Sequence, residues 1–253
     1  MSNQFARKIS TFHDRVLPEE GILVGYGWLL QFIEDTRNRR LPLPELLAIV
    51  TEKQQRYNTP QWQVFAKRYI PEDNASGHLT FALKYEGIDL LILKEFFLAV
   101  GDAPVMSMVQ NEPTGQYSRR IWFLYEWLFG KKLDIPDLKT GNYVEVVNPK
   151  HQYVGPVENS TRHRVKNNLP GTREFCPMIR KTKKLESYAA TKFPEIMEKG
   201  LMGRNKDLIR RTAAFLLLKD SKASFAIEGE YPPNMRARNW GKAIGQAGKK
   251  PLT

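Results

Sequence analysis

Apolar residues recur at helical spacing through most of the first 130 positions. Pro18-Glu19-Glu20 suits a first helical turn, since Pro is tolerated there and acids are favoured by the dipole. Ile22, Tyr26, Leu29, Leu30 and Ile33 continue the pattern to about Asp35. Positions 37–42 read as a basic loop. Pro44-Glu45 then opens a second predicted helix, with Leu46, Leu47, Ile49 and Val50 on its buried side. Trp62, Val64 and Ala66 alternate as in a strand, but Pro60 and Pro71 bracket them, so an irregular segment or short strand is expected. From Asp73 the helical period returns, through Leu79, Leu83 and Tyr85 to Gly87, and through Leu90, Leu93, Phe96 and Phe97 to Gly101. A short helix fits 104–110. Ile121, Leu124, Tyr125 and Leu128 predict a strong helix over Gln116–Phe129, stopped by Gly130.

The next stretch differs in kind. Residues 131–175 contain Pro136, Pro149, Pro156 and Pro170, with Gly141, Gly155 and Gly171 between them. Residues 143–147 and 152–154, separated by Asn148-Pro149-Lys150, suggest a small β-hairpin inside a connector. Helices resume near Pro177, again over about 207–229, and over 234–247. The expected fold is therefore mainly α: a helical domain over 1–130, a Pro/Gly-rich connector over 131–175, and a further helical region over 176–253.

Composition narrows the functional classes. The single Cys176 excludes an internal disulfide and a Cys-rich zinc site, and between Phe175 and Pro177 it reads as a small buried hydrophobe. No apolar run approaches about eighteen residues, so no membrane span is expected. The polar start lacks the apolar core of a secretory signal, which points to the cytoplasm. A net charge of +12 raises the question of nucleic acid. The basic residues are scattered, however, in groups at 37–40, 162–164, 180–184 and 236–238. A basic helical binding module, with nucleic acid as its partner, is the alternative reading and not the favoured one.

Other constellations are weak. Gly241 and Gly245 fall in a predicted helix without the preceding strand that a phosphate loop needs. His13, His151 and His163 are too isolated to read as a metal set, and the acid pairs Glu19-Glu20 and Glu228/Glu230 are neighbours only in sequence. Residues 116–122 and 163–168 mix basic, polar and aromatic types as a phosphate-binding surface would. In the first of these, Trp122 reads as core, with Arg119 and Arg120 as its wet edge.

The most informative stretch is Leu216-Leu217-Leu218-Lys219-Asp220-Ser221-Lys222-Ala223-Ser224-Phe225-Ala226-Ile227-Glu228-Gly229-Glu230, with Pro232 and Pro233 beyond it. Gly after the last periodic residue, then Pro, is a helix stop, and Ser224 and Glu228 fall one turn apart on one face. This run, followed by Arg236-Ala237-Arg238-Asn239-Trp240-Gly241-Lys242, resembles the Fic family. Members carry (Ser/Thr)-x-x-x-Glu-(Gly/Asn) on a helix that obstructs the catalytic core, and Ser224, Glu228 and Gly229 match it. The likeness covers about Leu208 to the end, and the preceding part resembles the amino-terminal extension of longer bacterial members. The catalytic signature His-x-Phe-x-x-Gly-Asn-Gly-Arg is absent: His13, His78, His151 and His163 are followed by Asp-Arg, Leu-Thr, Gln-Tyr and Arg-Val.

The resemblance implies a bacterial protein adenylyltransferase that moves AMP from ATP to a protein hydroxyl, of which this chain is an amino-terminal portion, inert by itself. It implies ATP and magnesium as cofactors of the complete protein and none held by this chain. Its partners would be its own catalytic core and a target protein that the residues do not name. Glu228 would pair with the last Arg of the catalytic motif, Ser224 would fix the helix against the core, and Gly229 would let the chain turn away.

Overall fold

The computed structural model describes residues 8–197, together with 215–220, 222, 223, 225, 226, 229 and 239. The chain divides into two compact units, Met1–Lys181 and Thr182–Thr253.

The first unit is a mixed α/β fold, and the expectation of a mainly helical protein is corrected. Strands β1 (Lys8–Phe12), β2 (Arg15–Val24), β3 (Leu47–Thr51), β4 (Tyr57–Asn58) and β5 (Trp62–Ala66) form a sheet in the order β1-β2-β3-β5-β4. Only the β3–β5 pairing is parallel, running from Leu47↔Trp62 to Thr51↔Ala66. β1 and β2 are joined by His13-Asp14, both at positive φ, the backbone of a two-residue type I′-like hairpin turn.

Of the two helices predicted first, the one over 18–35 is borne out only from Tyr26 onward, and the one over 44–50 is a strand, for identifiable reasons. Over 15–24, Leu17, Gly21 and Leu23 are buried while Val16, Pro18 and Glu20 are exposed, a period of two that Pro18-Glu19-Glu20 disguises as a helix start. The β1 register jumps from Ile9↔Gly21 to Thr11↔Val16, so Pro18 falls in a bulge where no ladder donor is required. Over 47–51 every residue is buried, which erases alternation and imitates a helix core. The two faces of β3 are nonetheless distinct. Leu47 and Ile49 join the main core with Trp62 and Val64, whereas Ala48 and Val50 join a second cluster with Phe65 and Phe81.

Helix α1 (Tyr26–Arg37) leaves β2 and packs against β2, β3 and α3 (Leu90–Val100). Helix α2 (Ala75–Phe81), capped by Asn74 Oδ1 accepting from Gly77 N at 2.8 Å, runs into a π-helical turn over Ala82–Glu86. Phe81 and Tyr85 from this segment cover the second face of the sheet. Helix α3 is capped by Asp89, whose Oδ1 accepts from Leu91 N and Ile92 N at 3.1 Å each. Helices α4 (Asp102–Asn111) and α5 (Gln116–Phe129) complete the layer, and α5 ends at left-handed Gly130 as its sequence predicts.

Residues 131–181 are folded into this unit. Strands β6 (Val144–Glu145), β7 (Glu158–Ser160) and β8 (Val165–Asn167) form a second sheet in the order β6-β8-β7. The antiparallel hairpin is β7–β8, not the predicted pairing of 143–147 with 152–154. Two side-chain amides replace much of the missing ladder. Gln152 Oε1 accepts from Ile88 N at 2.8 Å and its Nε2 donates to Ile88 O at 2.9 Å. Asn168 does the same to Val147, at 2.8 and 2.9 Å.

In the second unit, α6 (Lys183–Met197) starts with Thr182 Oγ1 accepting from Leu185 N at 3.2 Å. Residues 215–220, 222, 223, 225 and 226 are helical.

Candidate functional site

Of the three residues of the predicted inhibitory motif, Ser224 and Glu228 lie outside the described residues. Gly229 is described: it adopts φ +74°, and its N–H donates to Ala226 O at 3.1 Å. A Cβ there would meet nothing within 4 Å, so the left-handed backbone, not crowding, is what favours glycine.

Cys176 is half-buried with its Sγ 3.9 Å from Met178 Sδ, and burial pushes its thiol pKa up, away from a nucleophile's requirement. Among the described residues no group of three or more His, Cys, Asp or Glu side chains is placed to hold a metal ion. No described helix is long and apolar enough to cross a membrane.

Trp122 is core, but Arg119 and Arg120 are buried rather than a wet edge. Arg119 Nη1 donates to Asn142 O at 2.7 Å and to Arg164 O at 3.2 Å. Arg120 Nε donates to Val146 O at 2.8 Å and its Nη1 to Leu83 O at 3.3 Å. Nearly two turns further along α5, Glu126 gathers the basic segment 162–164. It accepts from Trp122 Nε1 and Leu133 N at 2.8 Å, from Arg162 Nη2 at 3.0 Å, and meets His163 Nε2 at 3.0 Å. Burial pushes the Glu126 carboxyl up, but these donors outweigh it and hold it below the usual carboxylate range. His163 Nδ1 in turn lies 2.7 Å from Ser160 Oγ.

This Ser160–His163–Glu126 chain has the members of a nucleophilic triad but not its economy. Arg162 shares the carboxylate and also pairs with Asp137, and its guanidinium lies 4.8 Å over the Trp122 ring. A carboxylate spread over four donors stabilises an imidazolium poorly, and burial holds the His163 pKa down despite Glu126. The cluster clamps the β7–β8 turn to α5.

A second polar centre surrounds the π-helical turn. Glu86 is fully buried with its Oε2 accepting from Tyr26 N at 2.8 Å, while its Oε1 has no hydrogen-bond partner. Burial raises its pKa to about 8, against the pull of the Tyr26 amide and Arg180, which disfavours its carboxylate form. Tyr26 Oη donates to Gly87 O and accepts from Asp89 N, both at 2.8 Å. Three arginines close on the same turn. Arg120 binds Leu83 O, Arg180 binds Glu86 O, and the Arg56 guanidinium lies 5.6 Å over the Tyr85 ring and 4.3 Å over Phe65. π-Helical turns interrupt α-helices frequently at functional sites. The sequence offers no local signal for this convergence, because the arginines come from positions 56, 120 and 180.

Elsewhere a minority of the described cations pair with acids. Arg37 and Arg39 pair with Glu95, Arg40 with Asp14, Lys53 with Glu19, and Lys67 with Glu52. Of the basic groups visible in the sequence, Arg37, Arg39 and Arg40 and, at 162–164, Arg162 are engaged with acids locally, which argues against a continuous basic stripe.

No family model, curated protein or solved structure matches the chain.

Proposed function

We propose that this chain is the amino-terminal regulatory part of a Fic-type protein adenylyltransferase, with Glu228 on an autoinhibitory helix. The observation that carries the reading is the run from Leu216 to Glu230, in which Ser224, Glu228 and Gly229 stand as in the family's inhibitory motif. The helical residues at 215–220, 222, 223, 225 and 226 and the left-handed Gly229 support a helix that ends where the motif requires. Residues with which the family holds ATP and magnesium, and its catalytic His, have no counterpart in these 253 positions. The chain's contribution is the obstruction. A carboxylate at 228 occupies the Arg that otherwise holds the terminal phosphate of ATP, and the α-phosphate is then misaligned for in-line attack.

The test uses the complete protein carrying His-x-Phe-x-x-Gly-Asn-Gly-Arg, with transfer of label from ATP as the readout. A charge-assisted hydrogen bond from Glu228 to that Arg contributes roughly 1.5–3 kcal/mol. Glu228→Gln should therefore raise AMP transfer by about one to two orders of magnitude, with Glu228→Gly at least as active. Glu230→Gly should do little, because residue 230 lies past the Gly229 stop. Unchanged activity in both Glu228 variants would reduce Ser224 to Gly229 to an ordinary helix end. The 253-residue chain alone should transfer no nucleotide.

A further inference from the structure

The geometry around the π-helical turn points to a second site, independent of the adenylyltransferase reading. We propose that Arg56, Lys150, His151 and Arg180, above the buried Arg120, form a compact receptor for a small phosphorylated ligand carrying one or two phosphate groups.

Three observations meet there. The first is convergence. Arg120 and Arg180 are tied to the carbonyls of Leu83 and Glu86 on one turn, and Arg56 is stacked on Tyr85 of that turn. Lys150 and His151 immediately precede Gln152, whose amide clasps Ile88 just beyond the turn, and Lys181 N donates to His151 O at 2.8 Å. The second is missing countercharge. Among the described residues none of Arg56, Arg120, Lys150 or Arg180 forms an ion pair with a carboxylate. Glu86, the last residue of the turn, has its pKa raised by burial to about 8, which disfavours its carboxylate form there. Glu45 and Asp89 share a cavity of about 410 Å³ with Arg180 but do not pair with it, and the Asp89 carboxylate caps α3. The third is an unspent donor. Arg120 Nη2 is buried without a partner, in a side chain whose other two nitrogens are fixed by carbonyls.

Buried cations without acids are costly, and a bound anion removes that cost. The arrangement is graded for it. Arg120 supplies charge from beneath, through a medium of low dielectric, while exposed Arg56 and Lys150 and half-buried His151 and Arg180 supply reachable donors. Stacking on Phe65 and Tyr85 preorganises the Arg56 fork, which suits bidentate contact with phosphate oxygens. Burial first, and then the fields of Arg180, Arg56, Arg120 and Lys150, hold the His151 imidazole below its ordinary pKa, which a bound anion would reverse. The cluster is a knot rather than a track. A nucleic-acid backbone instead needs a groove of cations with stacking platforms along it.

The experiment is a calorimetric titration of the full chain with inorganic pyrophosphate at low and physiological salt, beside an NMR titration of the His151 ring. Wild type should bind, more weakly as salt rises, and the His151 pKa should increase in the complex. Arg56→Gln and Lys150→Gln change exposed side chains and at most one cation–π stack, worth about 0.5–1 kcal/mol, so the unliganded protein should stay folded with only a small shift in melting temperature. Each should weaken binding by about tenfold, the loss of one charge-assisted contact, and the double variant should not bind measurably. Lys183→Gln with Lys184→Gln, exposed cations of α6, should change nothing. No binding by wild type, or equal binding by the Arg56/Lys150 double variant, overturns the site. A single-stranded oligonucleotide that binds tighter than pyrophosphate, and is weakened equally by the Lys183/Lys184 change, would overturn it in favour of a dispersed backbone surface.

Discussion

Gly25 seats Glu86: a Cβ at position 25 would lie 1.8 Å from Glu86 Oε2 and 2.9 Å from its Cδ. Gly25 is also the residue before α1, at φ +58° and ψ −130°, a conformation that side chains rarely adopt. The carboxyl therefore reaches the first amide of α1 only because residue 25 has no side chain. Gly25→Ala should cost at least about 2 kcal/mol, from backbone strain together with displacement of the buried acid. Urea denaturation measures it. A smaller loss on adding Gly25→Ala to a Glu86→Ala background would isolate the contact from the strain.

Glu86 itself gives the stability a pH dependence of defined sign. Its pKa rises from an ordinary 4.5 to about 8 on folding. Below 4.5 both states carry the proton, and above 8 neither does. Between them only the folded state holds it, so stability falls as pH rises through that window, by on the order of a few kcal/mol. Denaturation at pH 5 and pH 8 should show this fall in wild type. Glu86→Gln, neutral at every pH, should flatten it and gain relative to wild type at pH 8.

His78 acts on the acid side. It is 3% exposed, stacked on Trp28 at 4.5 Å and 5° between rings, with Nε2 3.6 Å from Asp73 Oδ1, too long for a hydrogen bond. Burial, opposed by Asp73, lowers its pKa from 6.5 to about 4. The contribution is present above pH 6.5 and is lost as pH falls toward 4, because only the unfolded state takes the proton in that interval. His78→Phe keeps the stack without the titration. Its denaturation curves should lose less stability than wild type between pH 7 and pH 4.5.

Much of the helical layer is legible in the sequence. Ile121, Leu124, Tyr125 and Leu128 with Gly130 place α5, and the structure returns Gln116–Phe129. The sheet is not legible for two opposite reasons. β3 is buried on both faces and so lacks alternation, while β2 alternates but carries Pro18 in a bulge. The polar centres are less visible still. Arg120 meets carbonyls 26 and 37 positions away, and Glu126 meets His163 at a separation of 37. Nothing local distinguishes these arginines from solvated ones, since main-chain carbonyls leave no trace in residue type. The inhibitory motif is the converse case, readable as a pattern at 224–229 although, of its three residues, only Gly229 is described.

Glu126 should behave as a structural anchor. Glu126→Ala leaves Trp122 Nε1, Leu133 N, Arg162 and His163 without their shared acceptor, at a cost of about 3–5 kcal/mol. Ser160→Ala removes one hydrogen bond at the end of the chain and should cost only about 1 kcal/mol. Paired urea titrations followed by tryptophan fluorescence check both. Comparable losses at the two positions would mean the anchor is the Ser160–His163 contact instead.

The amide clasps of Gln152 on Ile88 and Asn168 on Val147 set an unusual rule for which replacements the segment tolerates. Each amide presents a donor and an acceptor side by side, as a neighbouring strand would, and each serves a backbone unit cut off from water. Gln→Glu and Asn→Asp change no shape and are conservative almost anywhere on a protein surface. At these two positions they put a carboxylate oxygen against the carbonyl of Ile88 or Val147, and attraction becomes repulsion. Two nitrogen atoms thus complete what the short β6-β8-β7 ladder and the Arg119, Arg120 and Glu126 contacts leave open, and slow hydrolysis of either amide would remove that pairing by chemistry alone.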